Sequence, residues 1–279
     1  MSTKKRAIKT LSNKSIQSVG TRRDYTYCLK SYLDWCQLNG VSQQDQSSKR
    51  YLTTYLEEKA EACKQKTICQ SRMALNLAFN KKLPFVKSQL ETMLNSRDYT
   101  LAEVMWITSN LQAKNAIAIL ICFYAGLRAH ELATLVRINE GTRSSTRVWS
   151  SKLFSAIEQY QLYIVTGKSG LRRYVAIPNE LAAIIEARRY SEPKRVCDRE
   201  VYYQMRYDLG FGKALSQCFS RASLKRLGWS SGLHGTRHSY AKSRLKILIK
   251  FGFELEEAKS IVSQELGHFR PSIVNCYLR

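Results

Sequence analysis

QLYIVTGKSGLRRYVAIP, residues 161–178, is the stretch that decides the fold. Two short runs rich in β-branched and aromatic side chains, QLYIVT and RRYVAIP, flank the glycines of GKSG, a pattern that predicts a β-hairpin with Lys168 at its turn. The flanking sequence reads as helix on both sides. Downstream, Pro178 leads into the helical NELAAIIEARR, and helices resume at GLHGTRHSYAKSRLKILIK, residues 232–250. Upstream, Thr100 and Glu103 stand at capping-box spacing before an apolar helix that runs to YAGLRAHELATL, residues 124–135. Residues 100–279 are therefore expected to form an α+β module, mostly helical around one small sheet.

Further toward the N-terminus the periodicity is helical throughout. TRRDYTYCLKSYLDWCQLNG, residues 21–40, sets Tyr25, Cys28, Leu29, Tyr32, Leu33 and Cys36 on one face and stops at Asn39-Gly40. RYLTTYLEEKAEAC and CQSRMALNLAFNKK repeat the amphipathic pattern, so residues 15–85 are expected as an all-helical module. Residues 1–14 read as a basic tail, and residues 86–99, where the pattern breaks, as a linker. The whole is a mainly α chain in two domains.

Charge narrows the partner. Lys and Arg number 45 against 22 Asp and Glu, a formal net charge of +23, and the isoelectric point is near 9.8. The excess is spread evenly: residues 1–100 carry 18 basic and 8 acidic side chains, and residues 101–279 carry 27 and 14. Both halves are suited to one polyanion, and double-stranded DNA, with its regular row of phosphates, fits an extended basic surface best. A membrane partner is disfavoured. AIAILICFYAG, residues 116–126, is too short to span a bilayer and reads as a core helix, and MSTKKRAIK lacks a signal peptide's apolar stretch. The eight cysteines include no CxxC pair and read as reduced thiols of a cytosolic chain, and the four histidines show no metal-type spacing with them. Neither a metal nor a cofactor is expected.

Four stretches stand in order: AGLRAHEL, TGKSGLRRYVAIP, LHGTRHSYA, and LGH followed nine residues on by Tyr277. Each residue has a plainer reading alone: Arg128 a helix-end partner of Glu131, Lys168 a solvated turn lysine, His234 and His238 core or capping histidines, and Tyr277 an aromatic anchor, since 16 of 279 residues are tyrosine. Together, from about residue 15 to the end, the motifs resemble the tyrosine recombinase (phage integrase) family. By that resemblance Arg128 and Arg237 are the two arginines, Glu131 the supporting acid, Lys168 the hairpin lysine, His234 the first histidine of H-x-x-R, His268 the second histidine, and Tyr277 the nucleophile.

The chemistry matches those residue types. Attack on phosphorus loads negative charge onto the non-bridging oxygens, and guanidinium forks hold such oxygens in pairs, so Arg128 and Arg237 are expected to clamp a scissile phosphate with His268 as a further donor. The resemblance implies that His234 assists Tyr277 as base, that Lys168 protonates the departing 5′-oxygen, and that a 3′-phosphotyrosyl link stores the bond energy, so no ATP is needed. It also implies a recombination site as partner, a homotetramer in the synaptic complex from a free monomer or dimer, and a cytoplasmic, nucleoid-associated setting in a prokaryotic host. Arg22, Arg23, Lys64, Lys66 and Arg72 in the helical module, and Arg172 and Arg173 after the hairpin turn, are candidate DNA contacts.

Two departures from the family pattern stand out. The interval from Arg128 to Lys168 is long, which suggests an insertion within RINEGTRSSTRVWSSKLFSAIEQ, residues 137–159. Members of the family usually carry a further segment after the tyrosine that docks on a neighbouring subunit. Here the sequence ends two residues after Tyr277, so either coupling uses another element or the chain is shortened. Two other functions remain open at this stage: a type IB topoisomerase-like enzyme with the same chemistry, and a DNA-binding protein whose catalytic domain has decayed.

Overall fold

The computed structural model describes residues 3–12, 14, 16, 18–90, 97–167 and 170–278, in two compact units that divide between residues 94 and 95. In the first unit, α1 (Thr3–Ser12), α2 (Val19–Leu38), α3 (Lys49–Ala62) and α4 (Gln65–Phe79) surround a core that includes Leu29, Tyr32, Leu52, Leu56, Ile68 and Leu75. The face of α2 is buried at Cys28, Leu29, Tyr32, Leu33 and Cys36, with Tyr25 at its margin, and the helix ends at Asn39. The segment expected as a tail is instead helical. Leu11, on the inner side of the otherwise basic α1, and Ile16 after the helix reach the same core. Leu83 and Val86 pack there too, so described residues on the linker's near side belong to this unit.

The second unit opens with the capping box: Thr100 Oγ1 accepts from Glu103 N, and Glu103 Oε2 accepts from Thr100 N, starting α5 (Leu101–Thr108). Next come α6 (Ala113–Ala125) and a 3-10 turn (Glu131–Thr134). β1 (Val136–Arg137), β2 (Tyr160–Thr166) and β3 (Arg172–Pro178) form an antiparallel sheet in the order β1-β2-β3, with Thr166 opposite Arg172 and Tyr160 opposite Pro178. The GKSG hairpin is thus present as a β2–β3 pair. After α7 (Asn179–Glu186) a second antiparallel pair appears, β4 (Arg189–Asp198) and β5 (Val201–Tyr207), where one sheet was expected. Its alternation is hidden in sequence by Pro193 and by a register shift between Arg189 and Lys194. Three helices, α8 (Gly212–Leu227), α9 (His234–Lys250) and α10 (Leu255–Glu265), and a 3-10 segment (Pro271–Cys276) complete the unit.

Two apolar clusters hold these elements. One, around Ile119, Ile121, Leu132, Val165, Ile177 and Phe219, joins α5 to α8 with the sheet; the other, around Leu245, Leu248, Ile261, Val262 and Val274, joins α9, α10 and the terminal segment. Among the described residues no helix is long and apolar enough to cross a membrane.

Leu75 is fully buried in the first unit. Leu75→Ala should cost about 3 kcal/mol in transfer and cavity terms, seen as faster hydrogen exchange of the α2 and α4 amides; unchanged protection would contradict the packing.

Candidate active site

The site lies in the second unit, where four chain segments meet. α6 ends at Gly126 with φ +60°, and a Cβ there would fall 2.6 Å from the Tyr240 ring, so only glycine turns the chain at this point. The turn delivers Arg128 and then Glu131, which is fully buried. Glu131 Oε2 accepts from the Arg128 amide at 2.8 Å and from Arg173 Nη2 at 2.9 Å, while Oε1 accepts from Arg128 Nη1 at 2.8 Å. Burial alone would raise the pKa of this carboxyl, but Arg173, Arg237 and Arg128 outweigh it and hold it at about 2.

Arg237, one turn into α9, is also fully buried. Its Nη1 donates to Gly126 O and its Nη2 to Leu266 O, the carbonyls at the C-terminal ends of α6 and α10. Helix C-termini carry partial negative charge, so they steady this cation without neutralising it. Its Nε donates to the Tyr277 hydroxyl at 3.2 Å. Desolvation, followed by the Arg128 charge, lowers the Arg237 pKa to about 10, which still leaves the guanidinium charged at neutral pH.

α10 is followed by Gly267 with φ +75°, which turns His268 back toward Arg128. His268 Nε2 lies 3.1 Å from Arg128 Nη2 and 3.0 Å from the Tyr277 hydroxyl. A guanidinium only donates, so Nε2 must be the acceptor and the ring proton sits on Nδ1. Desolvation, then Arg237, Arg128 and Arg173, lower the His268 pKa to about 4, and the imidazole is therefore neutral at pH 7. With Arg237 Nε donating to the phenol oxygen, the phenol hydroxyl and Arg128 share the one lone pair of His268 Nε2.

Tyr277 is buried, at 5% exposure. Its ring meets the His238 ring edge-on at 4.8 Å between centroids, and the His234 ring lies at 6.1 Å. His234 is exposed at the start of α9, with its pKa lowered by desolvation and by the nearby Arg237, His238 and Arg128. Arg128, Glu131, Leu171, Arg173, Gly267 and His268, with Gly167, line a cleft of about 200 Å³.

Of the residues expected from sequence, Arg128, Glu131, Arg237, His268 and Tyr277 form one hydrogen-bonded group, with His234 at its edge. Lys168 lies outside the described residues; Gly167 before it lines the cleft. Arg173, expected as a DNA contact, is 1% exposed and paired with Glu131, so it is a buried part of the site and cannot face a duplex from where it stands. The strand alternation carried that signal: Arg173, Val175 and Ile177 share the inward face of β3. His238 follows His234 by one helical turn, and its contact with Tyr277 appears only once the chain ends are brought together. Arg172 is half-buried, its amide donating to Ser144 Oγ at 2.9 Å. In the first unit Arg22, Arg23, Lys64 and Lys66 are exposed, whereas Arg72 turns back, donating to Leu83 O at 3.4 Å and lying over the Phe85 ring.

Part of the long 137–159 interval forms a strap over the segments that carry His268. Trp149 packs edge-on against Phe269 at 4.7 Å, Ser150 N donates to Gln264 Oε1 at 2.8 Å, and Phe154 N donates to Glu265 Oε1 at 2.9 Å. Glu265 is itself buried and takes Arg244 Nη2 at 2.8 Å and the Tyr240 hydroxyl at 2.9 Å.

No protein-family model matches the chain, and no curated protein does. Its fold is similar to that of XerH site-specific recombinase bound to palindromic difH substrate in a post-cleavage complex, with a TM-score of 0.58 at 16% identity over 92% of this chain and 75% of that one. It is similar also to a lambda integrase dimer bound to a COC′ core site, with a TM-score of 0.59 at 15% identity over 99% of this chain and 93% of that one. The chain thus shares the fold of these recombinases, mainly helical with small antiparallel sheets.

Because the folded pKa of Glu131 lies below its ordinary value of 4.5, its ionisation stabilises the fold above that value, by about 3 kcal/mol, and the contribution is lost as pH falls through about 2. Glu131→Gln should be destabilised at pH 7, and the gap from the parent should narrow between pH 4.5 and 2 in urea titrations. A gap independent of pH would contradict the ion pairs.

Proposed function

We propose that this chain is a site-specific DNA recombinase that cuts and rejoins strands through Tyr277. The observation that carries the proposal is the phenol itself: its hydroxyl lies 3.2 Å from Arg237 Nε and 3.0 Å from His268 Nε2, and that same imidazole nitrogen is 3.1 Å from Arg128. Guanidinium, imidazole and phenol meet beside a cleft wide enough for a phosphate, on a chain of charge +23. The fold shared with recombinases whose structures hold DNA sites supports the same reading.

A phosphodiester in the cleft would lie against Arg128 and His268. The phenol oxygen attacks phosphorus, its proton passes to His268 Nε2, and the 5′-oxygen of the next nucleotide departs, leaving a 3′-phosphotyrosyl bond. His234 was expected as the base, but His268 is the imidazole within hydrogen-bond distance of the phenol hydroxyl, and we propose it for that role. Arg237 stabilises the phenoxide as it forms, and Arg128 the charge growing on phosphorus oxygens. Lys168 is proposed as the acid for the leaving oxygen. No step is proposed to need ATP, since the phosphotyrosyl bond conserves the energy of the phosphodiester, and the guanidiniums are proposed to supply the positive charge a metal would otherwise bring. The first unit, helical and basic, is proposed to bind the flanking duplex. Paired sites would bring four copies together, in the cytoplasm.

Incubating the protein with fragmented genomic DNA and isolating detergent-resistant adducts tests the proposal and recovers the target sequence. The parent should yield adducts joined at Tyr277, and Tyr277→Phe should bind DNA but yield none; strand cleavage by Tyr277→Phe would refute the nucleophile. Relaxation of any supercoiled plasmid, with no exchange between recovered sites, would point to topoisomerase-like swivelling instead.

His268 must be neutral to take the proton. With its pKa at about 4, the rate of adduct formation should be level from pH 6 to 8 in that group's contribution and fall as the solution is acidified toward that value. His268→Gln, which cannot take a proton, should lower the rate by roughly 100-fold and abolish this acid limb; a limb that persists in the variant would exclude His268 as its source.

A further inference from the structure

Arg173 is the feature of the site that the reaction above leaves unused. It is a third guanidinium, 1% exposed, on the inward face of β3. One of its nitrogens, Nη2, pairs with Glu131 Oε2 at 2.9 Å, while Nε and Nη1 are buried with no hydrogen-bond partner among the described residues. Such orphaned donors are costly and uncommon in a packed interior. Arg173 is one of the residues lining the cleft with Arg128 and His268, and its Cδ and Nε pass 3.2 and 3.3 Å from the position of a Cβ on Gly267.

The charges explain why a third cation is needed. Glu131 uses both oxygens on guanidiniums: Oε1 on Arg128, Oε2 on Arg173. Without Arg173 the carboxylate would be left to Arg128, and to Arg237 at longer range, and would cancel part of the positive charge an incoming phosphate requires. With Arg173 present, three guanidiniums face one carboxylate, and the cleft keeps a net positive charge.

We infer that Arg173 is a positioning residue of the phosphate site: it occupies Glu131 as counter-ion, so that Arg128 stays aligned yet charged toward the cleft, and its unpaired N–H groups add a fixed positive pole beneath the bound anion. The inference deepens the recombinase reading in taking the cleft as a phosphate site, but its test needs no DNA. It predicts a specific charge logic. Removing Arg173 weakens anion binding because Glu131 is left in excess, and neutralising Glu131 as well restores the balance. A side chain that only filled space would show no such recovery.

Inorganic sulfate serves as the probe, titrated into the full chain against sodium chloride of equal ionic strength, with thermal unfolding as readout. Sulfate should stabilise the parent at millimolar concentration, an anion bound by the folded state alone. Arg173→Met should weaken the sulfate constant by about tenfold or more, as expected for losing a unit charge a few ångströms away in a poorly solvated site. Arg173→Lys should stay within about threefold of the parent, and Arg173→Met/Glu131→Gln should recover to a similar range. Where the Met variant does not fold, Arg173→Gln, which keeps a donor for Glu131, replaces it in both comparisons. The proposal is overturned if the parent shows no sulfate effect beyond chloride, if every variant responds alike, as sulfate held elsewhere on this basic surface would make them do, or if the double variant remains as weak as the single one. Loss of adducts in Tyr277→Phe bears on the recombinase reading alone, so the two can fail separately.

Discussion

One buried carboxylate is shared among cations that outnumber it. Glu131 is the acidic partner of both Arg128 and Arg173, and Arg237 adds a third positive group in the same small volume. In a medium that solvates charge poorly, such a cluster holds together only if the excess cation finds other partners. The structure gives Arg237 the carbonyl ends of two helices, α6 at Gly126 and α10 at Leu266. Helix ends offer oriented dipoles and no formal charge, so they hold a guanidinium in place without cancelling it. The site is therefore rigid and electropositive at once, which a second carboxylate would not have allowed.

This arrangement also explains why distant parts of the chain converge here. Arg237 ties the end of α6, the end of α10 and the terminal tyrosine to the first turn of α9, through three separate donors. The strap performs a related task at a lower layer. Its backbone N–H at Phe154 and its carbonyl at Ser155 engage the Glu265–Arg244 pair, and Trp149 closes over Phe269, the residue after His268. The imidazole is thus fixed by Arg128, and the residues flanking it in sequence are held by an element that lies outside the motifs.

Much of the site was legible in sequence because its parts are local signals: a glycine after a helix before Arg128, an H-x-x-R at a helix start, a GKSG turn between alternating strands. Their assembly followed from resemblance, since no local rule brings residue 128 to residue 268. What escaped was set by tertiary context. Two adjacent arginines, 172 and 173, look alike in the sequence, yet the pleat sends one inward to Glu131 and leaves the other half-buried at the edge. Alternation with Val175 and Ile177 separates them, placing Arg173 on the inward face. The β4–β5 pair was hidden by a proline and a register shift, and α1 by the density of lysines on its outer side.

The placement of Tyr277 joins the economy of the free protein to the proposed reaction. The phenol oxygen accepts from Arg237 Nε, and the hydroxyl lies within hydrogen-bond distance of His268 Nε2. Those are the two contacts an attacking phenol needs: a donor that stabilises the developing phenoxide and an acceptor that takes its proton. In the proposed reaction a phosphate beside Arg128 would meet a phenol oxygen that already has both of these partners. Reversal uses the same geometry, because the imidazolium formed on attack is positioned to return its proton to the phenoxide when the phosphotyrosyl bond opens. In the proposed reaction the contact that holds the buried tyrosine, Arg237 Nε on its hydroxyl, is also the one that would stabilise the phenoxide.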